Sequence, residues 1–155
     1  MTGRCPTASI DFRGFPVRFR RLKTRFERTV REVLEDHRVK SYAMSISFVD
    51  DCKIADLNRE RLGRSGPTDV IAFDLSEPGL PFERVGDIYV STDRALENSV
   101  RFRVAPEEEL LRLVVHGVLH VLGYADRKPA EARKMKAVQE KMVENFQLLA
   151  GSDEE

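Results

Sequence analysis

The sequence predicts an α+β fold in which a mixed, roughly four-stranded sheet packs with about five helices. Three observations predict it. Apolar residues recur at helical spacing in some segments and at alternate positions in others. The two kinds of segment follow one another in imperfect alternation, not in strict strand-helix-strand order. One segment, Leu110 to Leu122, is apolar almost throughout, as a helix must be when it lies at the centre of a fold.

Taken in order, residues 8 to 13 suit a short strand. After Pro16, the apolar positions Phe19, Leu22, Phe26, Val30, Val33 and Leu34 form the stripe of an amphipathic helix, whose other face holds Arg18, Arg21, Arg25 and Arg28. Tyr42, Met44, Ile46 and Phe48 alternate with Ala43, Ser45 and Ser47, the period of a strand with one buried face. Asp50 or Asp51 can cap a short helix to about Leu62. Residues 68 to 75 are a compact apolar run bounded by Pro67 and Pro78, as a buried strand would be, and residues 85 to 91 read as another strand. Ser91 or Thr92 caps a helix to about Phe102, and Pro106 can open the central helix because proline is tolerated at the first helical position. Gly123 is its natural stop. Pro129 opens the last helix, with Met135, Val138, Met142, Phe146 and Leu149 as its stripe.

At 155 residues the chain is about one domain's worth, long enough to fold without a disulfide or a metal as a staple. Residues 1–150 read as a single domain and 151–155 as a short acidic tail. The composition excludes collagen-like, low-complexity and wholly disordered classes. Lys and Arg balance Asp and Glu at 26 each, so net charge alone indicates no partner. The balance is uneven along the chain: residues 1–40 carry eleven basic against five acidic residues, and the remainder is correspondingly acidic. Cys5 and Cys52 make no framework or zinc spacing, which suits a reducing compartment. No signal-like apolar core and no run of 18 apolar residues occurs, so the expectation is a cytoplasmic protein with no membrane partner.

The central helix places His116 and His120 one turn apart on the same face, where two imidazoles can reach one metal ion. Gly123 then lets the chain reverse, and Asp126 offers a carboxylate from a new direction, giving HxxxHxxGxxD. Three protein ligands leave one tetrahedral position for water, the pattern of a catalytic zinc site. Paired histidines also occur as satisfied core residues, but unpaired imidazoles in so apolar a helix would be costly to bury. The spacing is shared with metzincin peptidases, HExxHxxGxxH. Here Gly117 occupies the position of their glutamate base, so the peptidase reading loses its main support. A small residue there is expected to open space beside the metal for a polymeric substrate, and phosphodiester hydrolysis fits an open metal position equally well.

HGVLHVLGYAD, from His116 to Asp126, resembles the HGxLHLxGYDH motif of the YbeY endoribonucleases. LNRERLGRSGPTDVIAF, from Leu57 to Phe73, is similar to that family's LN…PTDVLSF block, and VGDIYVS, from Val85 to Ser91, to its GDI strand. Met135, Gln139 and Glu140 also match the family pattern beyond the third ligand. These blocks span Leu57 to Glu140, about half the chain. The sequence departs from the family in two places. Its third ligand is Asp126 where histidine is usual, which keeps Zn2+ competent and makes a harder metal such as Mn2+ more plausible. The loop places where the family commonly has an aromatic residue and then an arginine hold Arg61 and Leu62.

The resemblance implies a zincin-like, metal-dependent endoribonuclease directed at single-stranded RNA, acting in small-subunit (16S) ribosomal RNA maturation and ribosome quality control. His116, His120 and Asp126 would hold one Zn2+ (or Mn2+) per chain, and His116 and Arg61 are the candidate catalytic residues. Arg59 and Arg64, with Thr68 and Asp69, are the candidate substrate contacts. The nucleophile is either a metal-activated water or the RNA's own 2′-hydroxyl. Implied partners are single-stranded ribosomal RNA, the small ribosomal subunit and its assembly factors. The competing classes are a metallopeptidase and a non-catalytic ribosome assembly module with a structural metal.

Overall fold

The computed structural model describes residues 8–153, with side chains as far as Gln147 in the last helix. Cys5, Glu154 and Glu155 lie outside the described residues. Four strands, β1 (Ala8–Arg13), β2 (Tyr42–Val49), β3 (Val70–Asp74) and β4 (Arg84–Ser91), form one sheet in the order β1-β2-β4-β3. The β1-β2 and β2-β4 pairs are parallel, and β3 runs antiparallel to β4, so the sheet is mixed as expected. Five α-helices surround it: α1 (Lys23–Asp36), α2 (Asp51–Leu62), α3 (Thr92–Phe102), α4 (Pro106–Val121) and α5 (Pro129–Asp153).

The helix expected directly after Pro16 is divided. Val17–Leu22 winds as a 3-10 helix without a side-chain cap, and α1 begins only at Lys23. Short 3-10 stretches at a helix start are common because they tighten an uncapped turn. Phe19 and Leu22 still pack against the core, so the apolar stripe continues through both windings. The strand expected over 68–75 is shorter, Val70–Asp74. At its far end Ser76 N–H and Oγ–H both donate to Asp74 Oδ1, closing a local turn that stops the strand. The cap alternatives resolve to Asp50, which accepts from Lys53 N–H at 2.8 Å, and Ser91, which accepts from Arg94 N–H at 3.1 Å. Helix α5 winds past the expected tail boundary at Gly151 as far as Asp153.

Period-two alternation decides what each sheet face meets. Met44, Ile46, Ile88 and Val90 point to the main core, beneath Phe26, Val30, Val33 and Leu34 of α1 and the apolar length of α4. On the other face, Ile71 packs with Ile54 and Leu57 of α2, and Phe73 and Tyr89 lie against this smaller cluster. Helix α4 is therefore covered by the sheet, α1, α3 and α5, which is why it has so few polar positions.

Close approach of α4 to the sheet depends on two glycines. A Cβ on Gly86 would lie 2.7 Å from Met44 Sδ and 2.9 Å from Val121 Cγ2. A Cβ on Gly117 would lie 2.6 Å from Ile88 Cγ2 and 3.1 Å from Val70 Cγ2. Gly117 thus faces the sheet. The expectation that its small size opens room beside the metal is corrected: the missing side chain lets the helix seat on β3 and β4.

Candidate metal centre

The last turn of α4 and the reversal after it build the site. Leu122 caps α4, and Gly123 adopts φ +100°, a left-handed conformation that glycine takes without steric cost. Gly123 N–H donates to the His120 carbonyl and Tyr124 N–H to the Leu119 carbonyl, both at 3.0 Å, the paired bonds of a Schellman cap. This reversal returns Asp126 over the helix face that carries both histidines.

His116 Nε2 and His120 Nε2 stand 3.1 Å apart, and Asp126 Oδ2 lies 3.7 Å from the first and 3.6 Å from the second. These three side chains form a group with one potential ligand atom each, all within 4.8 Å of one another. Tetrahedral ligands at the usual zinc bond lengths are separated by about 3.3 Å, so the spacing fits a small divalent cation.

The outer ring nitrogens settle the question of fit more sharply. His116 Nδ1 lies 2.7 Å from Gln139 Oε1, and His120 Nδ1 lies 3.0 Å from the Tyr124 carbonyl oxygen. A carbonyl can only accept. The Gln139 amide is oriented by its own Nε2, which donates to Glu140 Oε2 at 3.2 Å, leaving Oε1 as the atom facing His116. Each ring therefore carries a proton on Nδ1, and in the neutral ring this leaves a lone pair on Nε2, the form that binds a metal. A histidine pair with no ligand to hold would be expected to donate one Nε2–H to the other.

Behind Gln139, Arg112 grips Glu140 through both carboxylate oxygens, at 2.8 and 2.9 Å, and also reaches Glu109 at 2.6 Å and Glu108 at 3.0 Å. The guanidinium holds the Glu140 carboxyl below its ordinary range, and its three carboxylate partners push Arg112 itself upward. Glu109 is 3% exposed while Arg112, Glu108 and Glu140 are only partly buried, and the buried charge of Glu109 is tolerated because Arg112 partners it. The orienting chain thus runs Arg112, Glu140, Gln139, His116. Burial lowers the His116 pKa from its ordinary value, partly opposed by the bond to Gln139.

Of the residues singled out in the sequence, His116, His120 and Asp126 come together. Thr68 and Asp69 lie half-buried just before β3, where Asp69 accepts from Asn98 Nδ2 at 3.4 Å and its charge is felt at His116. The three arginines are elsewhere. Arg59 pairs with Asp56 at 2.8 Å, Arg61 stacks over the Phe73 ring at 5.7 Å, and Arg64 is exposed beyond the Gly63 cap. Phe73 lies on the α2 side of the sheet and the histidines on the α4 side, so Arg61 is not brought to the cluster. Tyr124, whose main-chain oxygen orients His120, and the orienting role of Gln139 were not evident from spacing: neither is a ligand type, and Gln139 comes from a helix 23 residues away in sequence.

A family model described as Endoribonuclease YbeY matches residues 13–147. The proteins named Endoribonuclease YbeY from Lysinibacillus sphaericus and Chlorobium phaeovibrioides are 41% and 36% identical to the chain, covering 68% and 78% of it and 73% and 80% of the relatives. The one from Persephonella marina is 33% identical over 76% of this chain and 78% of its own. The solution structure of TM1509 from Thermotoga maritima superposes with a TM-score of 0.63 at 28% identity, covering 93% of both chains. With the match running from the end of β1 through β2, the α4 cluster and Gln139 alike, the chain belongs to the YbeY endoribonuclease family.

Proposed function

We propose that this protein is a metal-dependent endoribonuclease that cleaves single-stranded RNA in the maturation of small-subunit ribosomal RNA and in ribosome quality control, within the cytoplasm. The observation that carries the reading is the His116–His120–Asp126 cluster with both Nε2 lone pairs free to bind a cation. Family membership supplies the reaction class, and the site supplies chemistry suited to it. Zn2+ is the first candidate from two imidazoles and one carboxylate, and Mn2+ the second because Asp126 adds a hard oxygen ligand.

His116, His120 and Asp126 would hold the cation. Such an ion supplies Lewis acidity, making water a stronger nucleophile near neutral pH and stabilising charge on the phosphate. Gln139 and the Tyr124 carbonyl favour the metal-binding tautomer of both rings, and burial disfavours the charged form of His116. Thr68 and Asp69, at the mouth of β3, are the side chains of this reading that would meet the substrate beside the cluster. Arg59, Arg61 and Arg64 take the RNA backbone approaching over α2, with Arg61 pre-positioned by Phe73. Arg61 is a backbone contact in this scheme, removed from the reacting phosphate by the sheet. Ribosomal assembly factors and the small subunit provide target choice, since few aromatic side chains are available for base stacking.

The peptidase alternative is not favoured. Position 117, where metzincins carry their glutamate, points into Ile88 and Val70, and the chain has glycine there. Metal analysis of purified protein beside cleavage of single-stranded RNA tests the proposal. Metal and cleavage should both vanish in His116→Ala, whereas cleavage unchanged in that variant would refute it.

A further inference from the structure

His37, the histidine outside the cluster, ends a hydrogen-bonded chain that starts at a candidate metal ligand. It sits at the C-terminal end of α1, where Nδ1 lies 2.6 Å from the Val33 carbonyl oxygen. That oxygen only accepts, so Nδ1 carries a proton and Nε2 faces Tyr124. Tyr124 Oη lies 2.8 Å from Nε2 and shares a hydrogen bond with it. The two rings meet edge-on, with centroids 5.5 Å apart at 84°. Tyr124 in turn gives its main-chain oxygen to His120 Nδ1. Two residues on, Asp126 completes the cluster.

The bonds within the reversal that follows α4 are local: Gly123 to His120 and Tyr124 to Leu119. They fix how the helix stops but do not tie the turn to the rest of the fold. The Tyr124 hydroxyl does, by reaching α1 across a sequence separation of 87 residues. Without that bond the turn is held by its own helix, by the packing of Leu122 and Tyr124 on the core and by the start of α5 at Pro129, and it gains freedom to swing the Tyr124 carbonyl off His120 and the Asp126 carboxylate off both rings. Outer partners of this kind typically change metal affinity by about 10- to 100-fold when removed.

We propose that His37 is a positioning residue for the cluster, acting through the Tyr124 hydroxyl to hold the Gly123–Asp126 turn in the geometry that a divalent cation requires. The inference rests on the metal reading above. It assigns a role to a residue about 80 positions upstream of the ligands, one that touches neither cation nor RNA.

The test uses the full chain, with Zn2+ affinity measured by competition against a chromophoric chelator and the His120 ring tautomer read by nitrogen NMR in the metal-free protein. Tyr124→Phe keeps the ring and the main-chain oxygen and removes only the hydroxyl, so it should fold. Tyr124→Phe and His37→Ala should each weaken Zn2+ binding about tenfold or more. The double variant should be no weaker than the worse single, because both remove the same bond. His120 should be an Nδ1–H tautomer in the wild type and a mixture in either variant, a change that general loss of packing stability would not produce. Affinities within twofold of wild type with an unchanged tautomer, or losses that multiply in the double variant, would overturn the proposal. A wild type that takes up no Zn2+ would overturn the metal reading instead, and the tautomer comparison would still decide the role of His37.

Discussion

His116 Nε2 and His120 Nε2 face each other at 3.1 Å while each ring's Nδ1 proton is committed elsewhere, to Gln139 and to the Tyr124 carbonyl. Two lone pairs at that distance repel, and a cation between them turns the repulsion into coordination. The protein surrounds the pair with acceptors that disfavour the alternative, in which one ring moves its proton to Nε2 and bonds the other. The site is thus organised against being a histidine-histidine hydrogen bond.

Gln139 should therefore matter beyond its packing. Gln139→Leu removes the acceptor for His116 Nδ1 and should weaken metal binding by about 10- to 100-fold, measured by chelator competition. Gln139→Glu offers a stronger acceptor and should bind at least as tightly as wild type. Equal weakening in both variants would mean that only the shape of the side chain counts.

Asp126→Ala should lower metal affinity by about a hundredfold or more, since it removes a ligand rather than an outer partner. Asp126→His, a ligand of the same family pattern, should retain metal. Asp36→Ala, on the exposed end of α1, is the control and should leave metal content unchanged.

The depressed pKa of His116 makes stability depend on pH in a defined direction. Burial disfavours the charged ring, so in the metal-free protein the unfolded chain takes up a proton near the ordinary value of 6.5 before the folded one does. Stability from this group is therefore fully present above that value and is lost as pH falls through it, until the folded ring also protonates. The melting temperature of metal-free protein should drop between about pH 7 and pH 5, and His116→Phe should flatten that part of the curve. A slope of the opposite sign would show that the ring gains, and does not lose, proton affinity on folding.

Gly117→Ala should destabilise the fold by about 1–3 kcal/mol in denaturant unfolding, because its methyl group overlaps the fully buried Ile88. Glutamate there should do so more severely. A neutral Gly117→Ala would mean that α4 can lift from the sheet, in which case the cluster geometry would have to move with it.

Periodicity and caps made most of the fold legible. The stripe of α1, that of α5 as far as Phe146 (the Leu149 side chain lies outside the described residues), the alternation in β2, proline at the start of α4 and glycine after it each map onto an element, because each reflects a local rule. What spacing could not give were contacts between distant segments. The 3-10 winding before α1 shares its apolar stripe with an α-helix, so the pattern alone could not separate the two. Gly117 looked like space for substrate until Ile88 and Val70 were found against it. The three candidate ligands were readable because a single helix and one turn carry them. The residues that orient them, Gln139 and Tyr124, and His37 behind Tyr124, belong to α5, the turn and α1, and their meeting is a property of the tertiary fold alone.

The central claim is that the His116–His120–Asp126 cluster holds the cation on which RNA cleavage depends. Stepwise return of Zn2+ or Mn2+ to chelator-treated protein, with cleavage of a single-stranded RNA followed at each addition, tests it most directly. Activity should rise to a plateau at one equivalent per chain in the wild type and stay at background in His120→Ala throughout. Cleavage at the full rate before any metal is added, or the same metal response in His120→Ala, would contradict it.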